Sequence, residues 1–226
     1  MAVQKNNSSE DASYWSLRLL VLLQERAAEK TNAVLQVLFD VDQLETECRY
    51  PESGLLFADK HWRVFYHCHE AASMHADEHG HFHLFTDIGN QAWAHVAGLS
   101  IDAEGQPLQW FAVNRWVTDG PWLESETFFD QMKYVTDDNE SLVASWLSVL
   151  LQLYRVPLFE LLEKRDLQIK LKLKNRDQVD ALDDRDLYTL ATLPIDLQAT
   201  LEKHLLHKNQ TEFATMKNKV KAQYGV

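Results

Sequence analysis

An α+β fold, with a small antiparallel sheet of about four strands packed against helices from both ends of the chain, is predicted by three features of the sequence. Residues 55–122 are a series of short aromatic and β-branched runs separated by turn formers. The segments on either side, 12–54 and 123–226, instead carry apolar residues at three- and four-residue spacing. A hydrophobic share of 46 % and an aromatic share of 11 % in 226 residues can support a real core. Residues 1–11 are polar and read as a flexible leader, and 12–226 as a single domain.

Taken in order, residues 12–30 predict a helix capped by Ser8, Ser9 or Asp11, with Trp15, Leu19, Leu22 and Leu23 on one face. A second helix follows Thr31 and Asn32, "AVLQVLFDVDQLE", turning Val34, Leu38 and Phe39 inward until "YPESG" breaks it. Strands are expected at "HWRVFYHCH" (61–69), "GHFHLFT" (80–86), "AWAHVAGLSI" (92–101) and "LQWFAVNRW" (108–116). The turns "DIGN" and "DAEGQP" make the last three a meander, with 70–78 a looser connection. Beyond "TDGPW" the chain reads as helical, with Pro157 dividing "NESLVASWLSVLLQLYRVPLFELLEK". "DLQIKLKLK" (166–174) fits an amphipathic strand and a continuing helix equally well, and a terminal helix opens near Pro194.

Charge and motifs remove several function classes. A net charge of -12 argues against nucleic acid, whose phosphates need clustered Lys and Arg. The apolar run "LRLLVLL" is short, contains Arg18 and has no small-residue cleavage site, so neither a signal peptide nor a membrane partner is expected. Two cysteines make no disulfide framework and fit a reducing, cytoplasmic setting. Nucleophile elbows, Gly-rich phosphate loops and C-x-x-C pairs are absent.

Chemistry concentrates in "YHCHEAASMHADEHGHFHLF" (66–85). Eight of the ten histidines lie between residues 61 and 95. On a strand, side chains at i and i+2 share a face, so His67 and His69 point one way, as do His79, His81 and His83 if that strand starts early enough. Pairing can then bring imidazoles from neighbouring strands within reach of one ion. Neutral imidazole is the commonest protein ligand for transition metals. The expected centre takes His67, His69, His81 and His83 as core ligands, with His79 or Glu78 completing it. Zinc or non-haem iron leads, and copper, nickel or manganese also suit such donors. Glu70 or Glu78 is the candidate general base, and His95, on the next strand, a further catalytic candidate. In "AVNRWVTDGPW" Arg115, with Asn114 beside it, is a candidate substrate anchor, although an Arg closing a structural ion pair beneath two tryptophans reads equally well.

The competing readings are a metal-free polar cluster and a solvated histidine-rich loop. Cys68 faces away from His67 and His69 and reads as a buried thiol, His75 falls in the connecting loop, and His204 and His207 read as solvated. Function therefore divides between a metal-dependent oxidoreductase or hydrolase acting on a small molecule and a non-enzymatic, metal-stapled module that senses or binds a protein partner. A haem held between helices has no supporting spacing.

"EHGHFHLF" (78–85), "HVAGLSIDAEGQPLQWFAVNRWVTDGPW" (95–122) and, more faintly, "LPIDL" (193–197) together resemble an uncharacterised bacterial family, a domain of unknown function. In that family a Glu-His-Gly-His-Phe-His run precedes an Asn-Arg-Trp-Val-Thr segment. The resemblance implies that Glu78, His79, His81, His83, His95, Asn114 and Arg115 belong to the family motif, and it implies no particular activity. "TDGPW" stands where a Gly-Glu-type turn is expected of the family, so the resemblance assigns no role to an acidic residue there.

Overall fold

The computed structural model describes residues 8–30, 32–38, 44–70, 77–136, 139–172, 181–205, 214–215 and 218. Its centre is a six-stranded antiparallel sheet in plain sequence order, β1 (Arg49–Leu56), β2 (Trp62–His67), β3 (Gly80–Asp87), β4 (Trp93–Ile101), β5 (Pro107–Val113) and β6 (Thr189–Pro194). Helices α1 (Ser8–Glu29) and α2 (Ala33–Val37) precede it. Between β5 and β6 come the short α3 (Arg115–Thr118) and α4 (Phe128–Met132), then the long α5 (Leu142–Leu153) and α6 (Arg155–Lys172), and α7 (Leu197–Leu205) follows β6.

Strand alternation divides the sheet into two faces. Trp62, Val64 and Tyr66 of β2, Phe82 and Leu84 of β3, Leu99 of β4 and Trp110 of β5 turn to one side. There they join Leu19 and Leu22 of α1, Trp146 and Leu150 of α5, and Leu158 and Leu162 of α6 in one core. Each such fully buried side chain contributes roughly 1.5–3 kcal/mol of apolar transfer energy. The intervening residues face the other way, and the register aligns them. Arg49 pairs with His67, His67 with His81, His81 with Ser100, and Ser100 with Gln109, making one row across five strands. The next row runs Phe65, His83, Gly98, Phe111 and Thr192.

The sheet has six strands where about four are expected, and both extra strands lie at its edges. β1 falls largely within the stretch read as helical and broken by "YPESG". Pro51 and Gly54 look like turn residues, but an edge strand tolerates them, and the pairing is irregular between Tyr50 and Leu55. β6 falls in the segment read as helical. Its six residues are half exposed and carry too short a pattern to announce a strand. The four inner strands lie where the sequence places them except at two ends: β2 stops at His67, short of His69, and β5 stops at Val113, because Asn114 caps α3 over Arg115 and Trp116.

The helices follow their apolar spacing. α1 begins at Ser8 rather than at residue 12, and residues 1–7, the rest of the expected leader, lie outside the described residues. Asn32 caps α2 by accepting from the Leu35 N–H, and α2 ends at Val37; Phe39 lies outside the described residues. α5 and α6 are bent by 74° about Tyr154, just before Pro157 in the first turn of α6, where a missing N–H costs nothing. Residues 166–172 continue α6 as helix. Leu158, Leu161, Leu162, Arg165 and Ile169 bury one face, while Leu167 and Leu171, the other half of the apparent strand alternation, are 53 % and 48 % exposed. Residues 173–174 lie outside the described residues, as does His207. Among the described residues no single helix is long and apolar enough to cross a membrane.

Candidate metal centre

The face of the sheet opposite the main core is the floor of a cavity of about 780 Å³. β2 and β3 bring His67, His81 and His83 onto it, and the segment just past β2 adds His69. One ligand atom from each of His67, His69 and His81 lies within 4.8 Å of the other two, so the three can hold a metal ion. Zinc–nitrogen bonds of about 2.1 Å place tetrahedral donors about 3.4 Å apart, so an arriving ion would draw the rings together slightly.

Each of the three imidazoles has its Nδ1 against an oxygen. His67 Nδ1 lies 3.3 Å from the Cys48 carbonyl, which can only accept, so Nδ1 carries the proton. His81 Nδ1 lies 2.5 Å from Glu78 Oε1, and His69 Nδ1 is hydrogen-bonded to Glu47 Oε1. A proton on Nδ1 leaves the lone pair on Nε2, the orientation that metal-ligating histidines take when an outer oxygen fixes the ring. His81 Nε2 is buried and has no hydrogen-bond partner among the described residues. An imidazole nitrogen removed from water and left unpaired is costly. The Glu78 carboxylate is only 7 % exposed, whereas that of Glu47 is 66 % exposed and reaches within 3.7 Å of His67 Nε2 with its second oxygen.

Burial keeps three of the histidines on this face, His67, His83 and His95, neutral. Burial holds His67 down to about 4, with the nearby His81 and His69 acting in the same direction. Burial, then His81 and His95, holds His83 well below its ordinary value, and burial holds His95 down to about 3. The hydrogen bond from His69 lowers Glu47. Neutral imidazole is the metal-binding form.

The other expected residues are placed differently. His83 stands one step along β3 from His81, and its Nδ1 lies 3.0 Å from His95 Nε2, making a buried histidine pair beside the triad. β3 starts at Gly80, so His79 lies outside the strand's alternation. The His79 Nδ1 lies 2.6 Å from the Tyr66 hydroxyl, which donates, because burial raises Tyr66 and keeps it protonated. Gly80 makes room for that contact, since a Cβ there would meet the Tyr66 oxygen at 2.1 Å and the His67 carbonyl at 2.7 Å. Its smallness therefore serves strand packing and not the approach of a ligand.

Glu70 is exposed. Asn114 is fully buried, caps α3 and donates to the carbonyls of Ala181 and Asp184. Arg115 pairs with Asp183, the structural arrangement weighed against a substrate anchor. The α3 residues Trp116, Val117 and Thr118 reach the cavity instead. Cys68 is buried, and His75 lies outside the described residues.

Sequence reasoning missed Glu47, Ser100 and Gln109. Glu47 carries no motif, and it reaches His69 only because β1 pairs with β2. Ser100 and Gln109 were legible in principle, because strand alternation puts them on the histidine face. A second carboxylate group, Glu124, Glu126 and Asp166, could also hold an ion, but Asp166 there already accepts from the Ser125 N–H and from Arg165.

No curated protein and no solved structure matches the chain. Residues 17–195, a span that takes in the whole sheet and every residue of the cavity, match one family, and the chain belongs to it: the domain of unknown function DUF6969.

Proposed function

We propose that this protein holds one transition-metal ion, zinc or non-haem iron, on the Nε2 atoms of His67, His69 and His81, and that the cavity brings a small molecule to it as substrate of a metal-dependent hydrolase or oxidoreductase. The observation that carries the proposal is the shared orientation of the three rings. Each Nδ1 is committed to an oxygen, and the buried Nε2 of His81 has no hydrogen-bond partner among the described residues. Three protein ligands would leave coordination positions open beside the cavity, and this supports a catalytic reading over a closed structural one. A bound ion would supply Lewis acidity and lower the pKa of a water molecule.

The chain's own residues supply orientation and proton handling. Glu78 and Glu47 fix the His81 and His69 rings and raise the basicity of their Nε2 atoms. His83 and His95 share one hydrogen-bonding proton between Nδ1 and Nε2. With that proton on His83, the neutral ring keeps a lone pair on Nε2 and can act as a base. When Nε2 takes up a proton, the Nδ1 proton passes to His95 Nε2 as His95 Nδ1 releases its own, so the pair relays a proton. Phe65, Phe111 and Trp116 line the same space and limit water.

The test is elemental analysis of protein purified without a tag. About one zinc or iron per chain is expected, lost in His67→Ala plus His81→Ala with the circular dichroism unchanged. Less than about 0.2 metal per chain, unaffected by that double substitution, would overturn the proposal. Azide added to the cobalt-loaded protein then reads the open position: a shifted visible spectrum supports catalysis, and an unmoved one favours the metal-stapled module.

A further inference from the structure

We infer that the cavity takes a small 2-hydroxy or 2-oxo monocarboxylic acid with an apolar side group, its carboxylate held by Arg49 and its hydroxyl or carbonyl oxygen by Ser100. The inference rests on the cavity being the ligand site proposed above and adds what that ligand must carry. Ser100 is the first ground. It is 1 % exposed, lines the cavity, sits directly opposite His81 in the register, and its Oγ is buried with no hydrogen-bond partner among the described residues. A buried hydroxyl without a partner is an uncompensated desolvation cost unless something in the cavity bonds to it. Gln109, opposite Ser100 on β5, extends the same polar strip.

Charge is the second ground. Arg49 is the Lys or Arg among the described residues that line the cavity, and its guanidinium leans over the Phe65 ring at 4.7 Å, on the row that carries His83. Of the lining carboxylates, Glu47 and Glu78 are each bound to an imidazole of the triad. One guanidinium in a lining that also holds two carboxylates suits one carboxylate group, which Arg binds bidentately, and disfavours a phosphate dianion, which needs more positive charge. Shape is the third ground. The Phe111 ring sits against Gly98, where a Cβ would meet it at 2.0 Å, and with Phe65 and Trp116 it gives the space aromatic walls. Arg49 and Ser100 flank the His67–His81 pair in one row, so a molecule touching both lies over the triad, where vicinal oxygens can chelate an ion.

The experiment titrates 3-phenyllactate, 3-phenylpropionate (no hydroxyl) and methyl 3-phenyllactate (no charge) into the cobalt-loaded protein, read by calorimetry and by the cobalt spectrum. The expected result is that phenyllactate binds about tenfold more tightly than either analogue, one hydrogen bond or ion pair being worth about that much. Ser100→Ala should reduce the preference over phenylpropionate, and Arg49→Gln the preference over the ester, each by several-fold. Ser100→Ala should leave the melting temperature of the ligand-free protein unchanged or higher, because no bond is lost, which separates loss of binding from loss of fold. Equal affinity for the three compounds, no binding of any, or a preference left unchanged by Ser100→Ala overturns the inference while leaving the metal assignment intact. If cobalt itself does not bind, the metal assignment fails, and the same calorimetry on the metal-free protein decides the inference alone.

Discussion

At His81 the ring is fixed from behind by Glu78, and both side chains are almost out of water, at 7 % exposure each. At His69 the equivalent carboxylate, Glu47, is 66 % exposed. The two outer carboxylates should therefore differ in weight, because a hydrogen bond in a dry site is stronger and less screened. Glu78→Ala should lower zinc affinity by about 10–100-fold, as removal of such an outer partner does elsewhere. Glu78→Gln keeps an acceptor for the Nδ1 proton and should recover part of that loss. Glu47→Ala should cost less than Glu78→Ala. Competition titration with a fluorescent zinc chelator reads all three, and an equal loss for the two alanine variants would show that burial does not set the strength of the support. Asn114 and Arg115 carry the opposite lesson. Both are polar residues in a motif, yet one caps a helix and the other pairs with Asp183, roles that a sequence presents in the same letters as a binding site.

Among the elements, β2 and β3 carry the site, and their junction is held by the smallest residue available. Gly80→Ala places a methyl group 2.7 Å from the His67 carbonyl, a backbone atom that cannot swing aside. Overpacking of this kind costs about 1–3 kcal/mol. The displacement also separates His67 from His81, which are paired in the register, so zinc affinity should fall together with the urea midpoint. A variant that loses stability while binding zinc normally would show that the triad tolerates the shift. The inner strands were legible because aromatic and β-branched runs between turn formers mark strands locally, and the i, i+2 rule then put the histidines on one face. The edges were not. Pro51 in β1 and the half-exposed β6 are strands by virtue of their neighbours, a tertiary fact with a faint local signature. "DLQIKLKLK" was ambiguous because its leucines satisfy both periods, and the buried face of α6 decides the matter through Arg165 and Ile169. For the site itself, the sequence indicated which histidines share a face. It could not show that His79 turns to Tyr66 or that Glu47 arrives from across β1.

Across the whole molecule, the neutral histidines make folding depend on pH in a direction that can be worked out. Unfolded histidines bind protons near 6.5. In the folded chain burial holds His95 to about 3 and His67 to about 4, and His83 is also well below its ordinary value. Between pH 6.5 and about 4 the unfolded chain therefore binds more protons than the folded one, and stability must fall as the pH falls. The contribution of these groups is fully present above 6.5 and is withdrawn by about 1.4 kcal/mol per pH unit for each histidine below it. A carboxylate bonded in the folded state, such as Glu47, adds to the same trend only at lower pH, as its unfolded value of 4.5 is approached. Urea titrations of chelator-treated protein at pH 7.5, 6.5, 5.5 and 5.0 should thus show a level midpoint down to about 6.5 and a steep decline below it. His95→Gln should flatten that slope by about one proton's worth. Zinc should add stability at pH 7.5 and lose its effect toward pH 5, because protons and the ion compete for the same nitrogens. A midpoint that stays level from pH 7.5 to 5.0 would mean that the histidines are hydrated in the folded chain, and the buried unpartnered Nε2 that points to an ion would lose its meaning.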